Sequence, residues 1–182
     1  LVLGYGITGK ATSLALKLGG ANVIIWDDKK NKRDEAKNDG YELLDLKFNK
    51  DLEKISALII SPGIPHLYPD PHEIVKIALE KNIEIDNDIS LFFQSFPKKS
   101  FFKIFPKVIC ITGTNGKSST CHLLNQILLN IGYKSEIGGN YGKSVLSLNP
   151  LENGSIKIIE ISSFQAEIAK VIRPDISALV NF

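Results

Sequence analysis

The chain has 182 residues, 43% hydrophobic and 23% charged, with 22 Lys and Arg against 20 Asp and Glu. That composition excludes a disordered chain, and lysines scattered among acids, as at Lys29, Lys30, Lys32 and Lys37, argue against a nucleic-acid surface. No apolar run reaches the roughly twenty residues needed to cross a bilayer and no basic, apolar leader opens the chain, so membrane insertion is not expected. Cys110 and Cys121, the only cysteines, suggest neither a disulfide framework nor metal spacing and fit a reducing cytosol. The length allows one large domain or two small ones. Both ends read as cut, Leu1 inside an apolar strand and Phe182 just after another, so a fragment of a longer protein is expected.

The first strand, residues 1–3, runs into GYGITG, where Gly4, Gly6 and Gly9 have G-x-G-x-x-G spacing ahead of helical composition over residues 10–18. Glycines there allow a tight turn and a close backbone approach, and the helix N-terminus behind them favours phosphate, which is the opening of a Rossmann-like unit. Taken alone, the pattern also fits a helix packed on a strand with no ligand. A second strand, residues 22–26, ends in Asp27 and Asp28, about twenty residues after the glycines, where such units place an acid on a ribose or base. Acids at a strand end equally cap the next helix or face water. Residues 35–38 finish a short helix, residues 41–46 form a strand, residues 51–55 a helical turn and residues 57–60 an apolar strand. Ser61-Pro62-Gly63-Ile64-Pro65 then makes a stiff loop at the C-terminal end of that strand, where open α/β sheets bind ligands. A binding wall is expected, with a proline-stabilised turn as the alternative.

Pro71 fits the first turn of a helix over residues 72–81, residues 83–85 resume a strand, and Asp88 is placed to cap a helix over residues 89–93. Asp86, Asn87 and Asp88 supply too few ligands for a metal, and His66, His72 and His122 lack zinc spacing. Phe92, Phe93, Phe96, Phe101, Phe102 and Phe105, interleaved with Pro97, Pro106, Lys98, Lys99 and Lys103, read as a boundary segment that packs two domains together. The junction is placed after Phe96, giving domains 1–96 and 97–182.

Residues 108–112 read as a buried strand entering a phosphate loop. Gly113 and Gly116 let the backbone between them curl inward and present N–H groups to an anion. Lys117 adds a mobile positive charge, and Ser118 or Ser119 offers a hydroxyl to a magnesium ion held by the same phosphates. The implied chemistry is nucleoside triphosphate binding. The strict G-x-x-x-x-G-K-S/T pattern is not met, because Ile111 stands five positions before Gly116, so this is a shortened variant. Residues 122–131 are helical. Residues 137–142, IGGNYG, read as a glycine-rich turn too flexible for a strand interior, with the Asn140 amide placed to hydrogen-bond. Residues 156–161 form a core strand in which the Glu160 carboxylate needs a partner. Magnesium is one such partner; an edge-strand position or a salt bridge is the alternative. Ser162, Ser163 and Gln165 open a helix, and residues 176–180 form a last strand.

GYGITG, SPGIP, TGTNGKSS, GGN and EISSFQ, in that order, resemble the Mur ligases along the whole chain. TGTNGK followed by a hydroxyl is shared with folylpolyglutamate synthases, whereas SSFQ and SPGIP are similar to the D-glutamate-adding branch. The resemblance implies an α/β fold: a Rossmann-like domain that binds a UDP-linked substrate, followed by part of a P-loop-type central ATP-binding domain. It also implies an ATP-dependent ligase that adds D-glutamate to UDP-N-acetylmuramoyl-L-alanine through an acyl phosphate, in peptidoglycan precursor synthesis, as a cytoplasmic monomer.

On the family pattern Ile7 and Thr8 lie near the diphosphate, Asp27 near the uracil and Gly63 against the nucleotide, while Asn140 and Ser162 face the substrate. Gly113, Thr114, Asn115, Gly116, Lys117, Ser118 and Ser119 hold ATP. Ser118 and Glu160 ligate magnesium, and Lys117 and Glu160 carry the catalysis. The family's N-I/V-x-x-D-H-x-D segment would begin at Asn181, one residue before the last, so its histidine, the carbamylated lysine and the C-terminal domain lie outside this chain. Residues 1–182 alone are therefore expected not to complete the reaction. Tyr141 stands where the family has an aliphatic residue, and Lys29 where an arginine assists uracil binding. Two other readings stay open: an L-alanine-adding or folylpolyglutamate-type ligase, and a Rossmann oxidoreductase or non-catalytic nucleotide-binding module, which leaves TGTNGKSS idle.

Overall fold

The computed structural model describes residues 1–44, 54–96, 101 and 103–181. Pro97, Lys98, Lys99, Phe102 and Phe182 lie outside the described residues, as do residues 45–46 of the expected third strand and 51–53 of the expected helical turn. The fold is α/β, with two parallel sheets in two compact units, Leu1–Asp88 and Ile89–Phe182.

In the first unit β1 (Val2–Leu3), β2 (Ile24–Trp26), β3 (Glu42–Leu43), β4 (Ala57–Ile60) and β5 (Glu84–Asp86) form one sheet in the order β3-β2-β1-β4-β5, every pair parallel. Helices α1 (Ile7–Leu18), α2 (Lys30–Asn38) and α3 (Glu73–Glu80) connect β1 to β2, β2 to β3 and β4 to β5. Val2, Leu3, Leu58, Ile59 and Ile60 are all buried, although neighbours on a strand point to opposite faces. Both faces of this sheet are therefore covered, and its strands read as apolar runs rather than alternations. The chain order reverses between β1 and β4, and the crevice at that switch point opens at the carboxyl ends of the strands.

Two boundaries differ from expectation. Helix α1 begins at Ile7, so Ile7 and Thr8 stand in its first turn. Pro71 is not in the first turn of α3, because His72 is the N-cap, its ring Nδ1 accepting from the Ile74 N–H at 3.1 Å. The imidazole takes the role usually filled by a short polar side chain and leaves the proline outside the helix.

The second unit carries α4 (Asp88–Gln94), β6 (Lys107–Thr112), α5 (Lys117–Asn130), β7 (Ser135–Gly139), a 3-10 turn (Val145–Ser147), β8 (Ile156–Glu160), α6 (Ser163–Ile168) and β9 (Ile176–Leu179). Its sheet runs β7-β8-β6-β9, again all parallel. Ile89, Phe92 and Phe93 are buried with Val108, Cys110 and Ile159 in its core. Phe92 meets Phe93 and Phe96 edge to face at 5.3 and 5.5 Å, and Phe96 meets Phe105 at 6.0 Å. The division into units falls between Asp88 and Ile89, after the first residue of α4, where the sequence placed the junction after Phe96; Phe92 and Phe93 lie in the core of the second unit with Phe96 packed against it, while Phe101 is exposed.

Gly138 and Gly139 are strand residues rather than part of a flexible turn, paired with Ile159 and Glu160. A Cβ on Gly139 would stand 2.1 Å from the Glu160 carbonyl oxygen, so glycine is required here for close approach. Gly139→Ala is expected to lower stability by about 3 kcal/mol through backbone displacement at the end of β8, read as a lower urea midpoint for the full-length protein.

Candidate active site

The switch-point crevice of the first unit is a cleft of about 410 Å³ built from three strand ends: residues 4–9 after β1, 27–29 after β2 and 61–64 after β4. Ile7, Thr8, Asp27 and Gly63, the four substrate positions expected in this half, all line it. The Ser61 Oγ donates to the Gly4 carbonyl at 3.0 Å and ties the proline-rich loop to the glycine turn. A Cβ on Gly9 would lie 1.8 Å from the Gly4 oxygen, so α1 starts hard against β1 and brings its N-terminal N–H groups to the cleft.

Asp27 shapes this turn as well as lining it. Its Oδ2 accepts from the Tyr5 N–H at 2.7 Å and its Oδ1 from the Lys29 N–H at 2.9 Å, a turn ahead of α2 and not a cap of it, since the N-cap is Lys29 with no side-chain cap bond. The next acid, Asp28, accepts from Trp26 Nε1 at 3.2 Å and is bridged by His72 Nε2 at 3.0 Å. Since His72 Nδ1 accepts at the cap of α3, Nε2 carries the proton given to Asp28. Arg33 stacks on the Trp26 ring at 4.7 Å and donates to the Asp27 and Asp28 carbonyls at 2.6 and 2.8 Å. The role of His72 escapes sequence reading because its contact with Asp28, 44 residues away, leaves no local signature.

In the second unit β6 ends in the phosphate loop, with Gly113 at φ +142° and Gly116 at φ +78°, and α5 starts directly at Lys117. Lys117, Ser118 and Ser119 therefore form the first helical turn, ahead of the expected start at residue 122, and their N–H groups have no partner inside the helix. The Lys117 Nζ donates to the Gly113 and Thr114 carbonyls at 2.6 and 3.0 Å. One of its three N–H donors is left over.

Glu160, at the end of β8, lies beside this loop because β8 is the sheet neighbour of β6. It is 3% exposed, and its Oε2 accepts from Ser118 Oγ at 2.8 Å while its Oε1 accepts from Asn140 Nδ2 at 3.2 Å. Ser118 and Glu160, expected together, are joined by Asn140, expected apart from them, and Glu160 sits on an interior strand rather than an edge. A pocket of about 140 Å³ beside it is lined by Ser118, Cys121, His122, Tyr141, Lys143 and Glu160 among others. Ser162 acts locally, as a helix cap. Its Oγ accepts from the Gln165 N–H and the Gln165 side chain returns to the Ser162 N–H, a capping box for α6. Burial pushes the thiols of Cys110 and Cys121 up to about 12 and about 11, so both are protonated and unreactive near neutrality.

The strand order, the shortened glycine loop with its lysine and the buried acid beside the loop's serine define a P-loop-type unit following a Rossmann-like one. The family model of the Mur ligase middle domain matches residues 111–182. The chain is 42% identical over 182 residues to the UDP-N-acetylmuramoylalanine–D-glutamate ligase of Ruegeria pomeroyi and 43% identical to that of Dinoroseobacter shibae, in each case over 99% of this chain. It spans 39% of the length of these curated relatives. Among solved structures, a UDP-N-acetylmuramate:L-alanyl-γ-D-glutamyl-meso-diaminopimelate ligase from Neisseria meningitidis superposes with a TM-score of 0.54 at 16% identity, over 99% of this chain and 59% of that one, a likeness of fold. Over residues 111–182 the chain is thus similar to the middle domain of Mur ligases, and along its length to the corresponding part of these D-glutamate ligases.

The His72 hydrogen bond, against a smaller upward push from burial, holds the Asp28 carboxyl below its usual range. A depressed acid stabilises the fold at pH values above the ordinary carboxylate pKa of about 4, and that contribution is lost as pH falls through the lowered folded value. His72→Ala is expected to move the Asp28 titration upward, toward the usual range, as followed by carboxyl carbon NMR. An unchanged titration would show that the bond does not control it.

Proposed function

We propose that this chain is the UDP-substrate domain and the phosphate-binding part of the ATP domain of a cytoplasmic, monomeric ligase. The ligase adds D-glutamate to UDP-N-acetylmuramoyl-L-alanine in peptidoglycan precursor synthesis. The observation that carries this reading is the convergence of Ser118, Asn140 and Glu160 on the phosphate loop that holds Lys117. The D-glutamate branch is supported by the relatives' names and by identity that runs through both units.

In this reading the first-unit cleft takes the UDP-linked substrate, with the diphosphate at the N-terminus of α1 and the base toward Asp27, Asp28 and Lys29. The ATP phosphates lie on the N–H groups of the first turn of α5, since the Thr114 and Asn115 N–H groups of the loop are given to Asn181. The substrate's alanyl carboxylate oxygen attacks the γ-phosphorus as ADP leaves. The amine of D-glutamate then attacks the acyl carbon, and inorganic phosphate departs. Lys117 supplies positive charge where the transferring phosphoryl group gathers negative charge, and the loop's own carbonyls hold it in place beforehand. A buried carboxylate bonded to a serine hydroxyl is a hard-oxygen donor set that fits magnesium, so Ser118 and Glu160 would hold the ion, whose charge offsets that of the phosphates. Asn140 orients the second Glu160 oxygen.

The test is ADP release by the full-length protein with UDP-N-acetylmuramoyl-L-alanine, adding D-glutamate, L-alanine or no amino acid. Stimulation by D-glutamate alone is expected, and its absence sinks the assignment. Lys117→Ala is expected to lower turnover by on the order of a hundredfold or more, and near-normal turnover would refute its role.

A further inference from the structure

Past the end of β9 the chain stays on the sheet. The Val180 N–H donates to the Thr112 carbonyl at 2.9 Å, which lays the Asn181 backbone against the start of the phosphate loop. The approach is so close that a Cβ on Gly113 would stand 3.1 Å from both the nitrogen and the carbonyl oxygen of Asn181. From there the Asn181 Oδ1 accepts from the Thr114 and Asn115 N–H groups, each at 2.9 Å. The carbonyls of these same two peptide groups, on Gly113 and Thr114, accept from Lys117 Nζ. Both peptide planes are thus held at each end, the N–H by Asn181 and the C=O by Lys117.

We infer that Asn181 is a positioning residue for triphosphate binding: its amide oxygen sets the orientation of the 113–114 and 114–115 peptides. These in turn aim Lys117 and the N–H groups of the following turn at the phosphates. The inference rests on the nucleotide-binding reading of the loop. A peptide released on its N–H side can rotate, and the bonds by which its carbonyl orients Lys117 are lost with the rotation. Asparagine offers this acceptor without charge, whereas a carboxylate would offer the same acceptor with a negative charge beside the phosphates.

The experiment uses the full-length protein, with amide hydrogen exchange at Thr114 and Asn115 followed by NMR and calorimetric binding of a non-hydrolysable ATP analogue with magnesium. In Asn181→Ala the two amides are expected to lose protection while Ile109 and Ile111 in β6 keep theirs, and the analogue is expected to bind more weakly by on the order of tenfold. Asn181→Asp is expected to keep both amides protected and to bind more weakly through charge repulsion that salt relieves. Unchanged protection or wild-type affinity in Asn181→Ala overturns the inference. Loss of protection at the two amides in Asn181→Asp overturns it as well, which decides the matter if the alanine variant fails to fold. A protein without D-glutamate-stimulated ADP release that shows the expected exchange and binding pattern loses the ligase assignment and keeps this role for Asn181. A working ligase with the opposite pattern loses only the role.

Discussion

The hydrogen bond from Ser118 Oγ to the buried Glu160 carboxylate is the contact on which the second unit's arrangement turns. A carboxylate that is 3% exposed must be compensated, and the compensation comes from the first turn of the helix behind the phosphate loop and from Asn140 after the neighbouring strand. Three segments distant in sequence are thereby held to one point: the start of α5, the end of β8 and the turn after β7. The close pairing of Gly139 with Glu160 allows this, because a side chain at residue 139 would displace the backbone that carries the acid. The Asn140 N–H, donating to the Glu160 carbonyl at 2.8 Å, completes the junction.

The two glycine turns share one physical device and differ in what surrounds it. Each ends a central parallel strand, starts a helix at once and exposes unpaired N–H groups to a crevice. At the first, Asp27 commits both carboxylate oxygens to backbone N–H groups, and the wall opposite is a proline-stiffened loop tied down by Ser61. Such a cleft is built to hold a ligand still. At the second, a lysine is held by the loop's own carbonyls and the next residue, Ser118, is bonded to a buried carboxylate. The difference between the two sites lies in these neighbours and not in the glycines.

What could be read directly from the chain was whatever depends on local order. GYGITG and TGTNGKSS signal their turns within a few residues, apolar runs mark buried parallel strands, and Glu160 stands out as an acid in a core strand. Local composition misled at Gly138 and Gly139, where glycines serve a close strand pairing rather than a flexible turn. The aromatic run gave no local sign that Phe92 and Phe93 belong to the core of one unit, with Phe96 packed against it. Ser162 reads equally well as a substrate contact or a helix cap, and only its reciprocal bonds with Gln165 show the cap.

Asn181 was least legible, and the reason is topological. Nothing near residue 181 announces a partner, and its bonds reach back 66 and 67 residues. They exist because β9 joins the sheet on the side of β6 opposite β8. The loop after β6 is therefore flanked by the ends of both its neighbours, with an acid from one and an amide from the other. The acid accepts from Ser118, and the amide oxygen accepts from two backbone N–H groups whose peptide carbonyls hold Lys117. A phosphate loop shortened by the loss of its usual first glycine has less backbone of its own with which to hold its shape, and the neighbouring strands supply what the loop lacks.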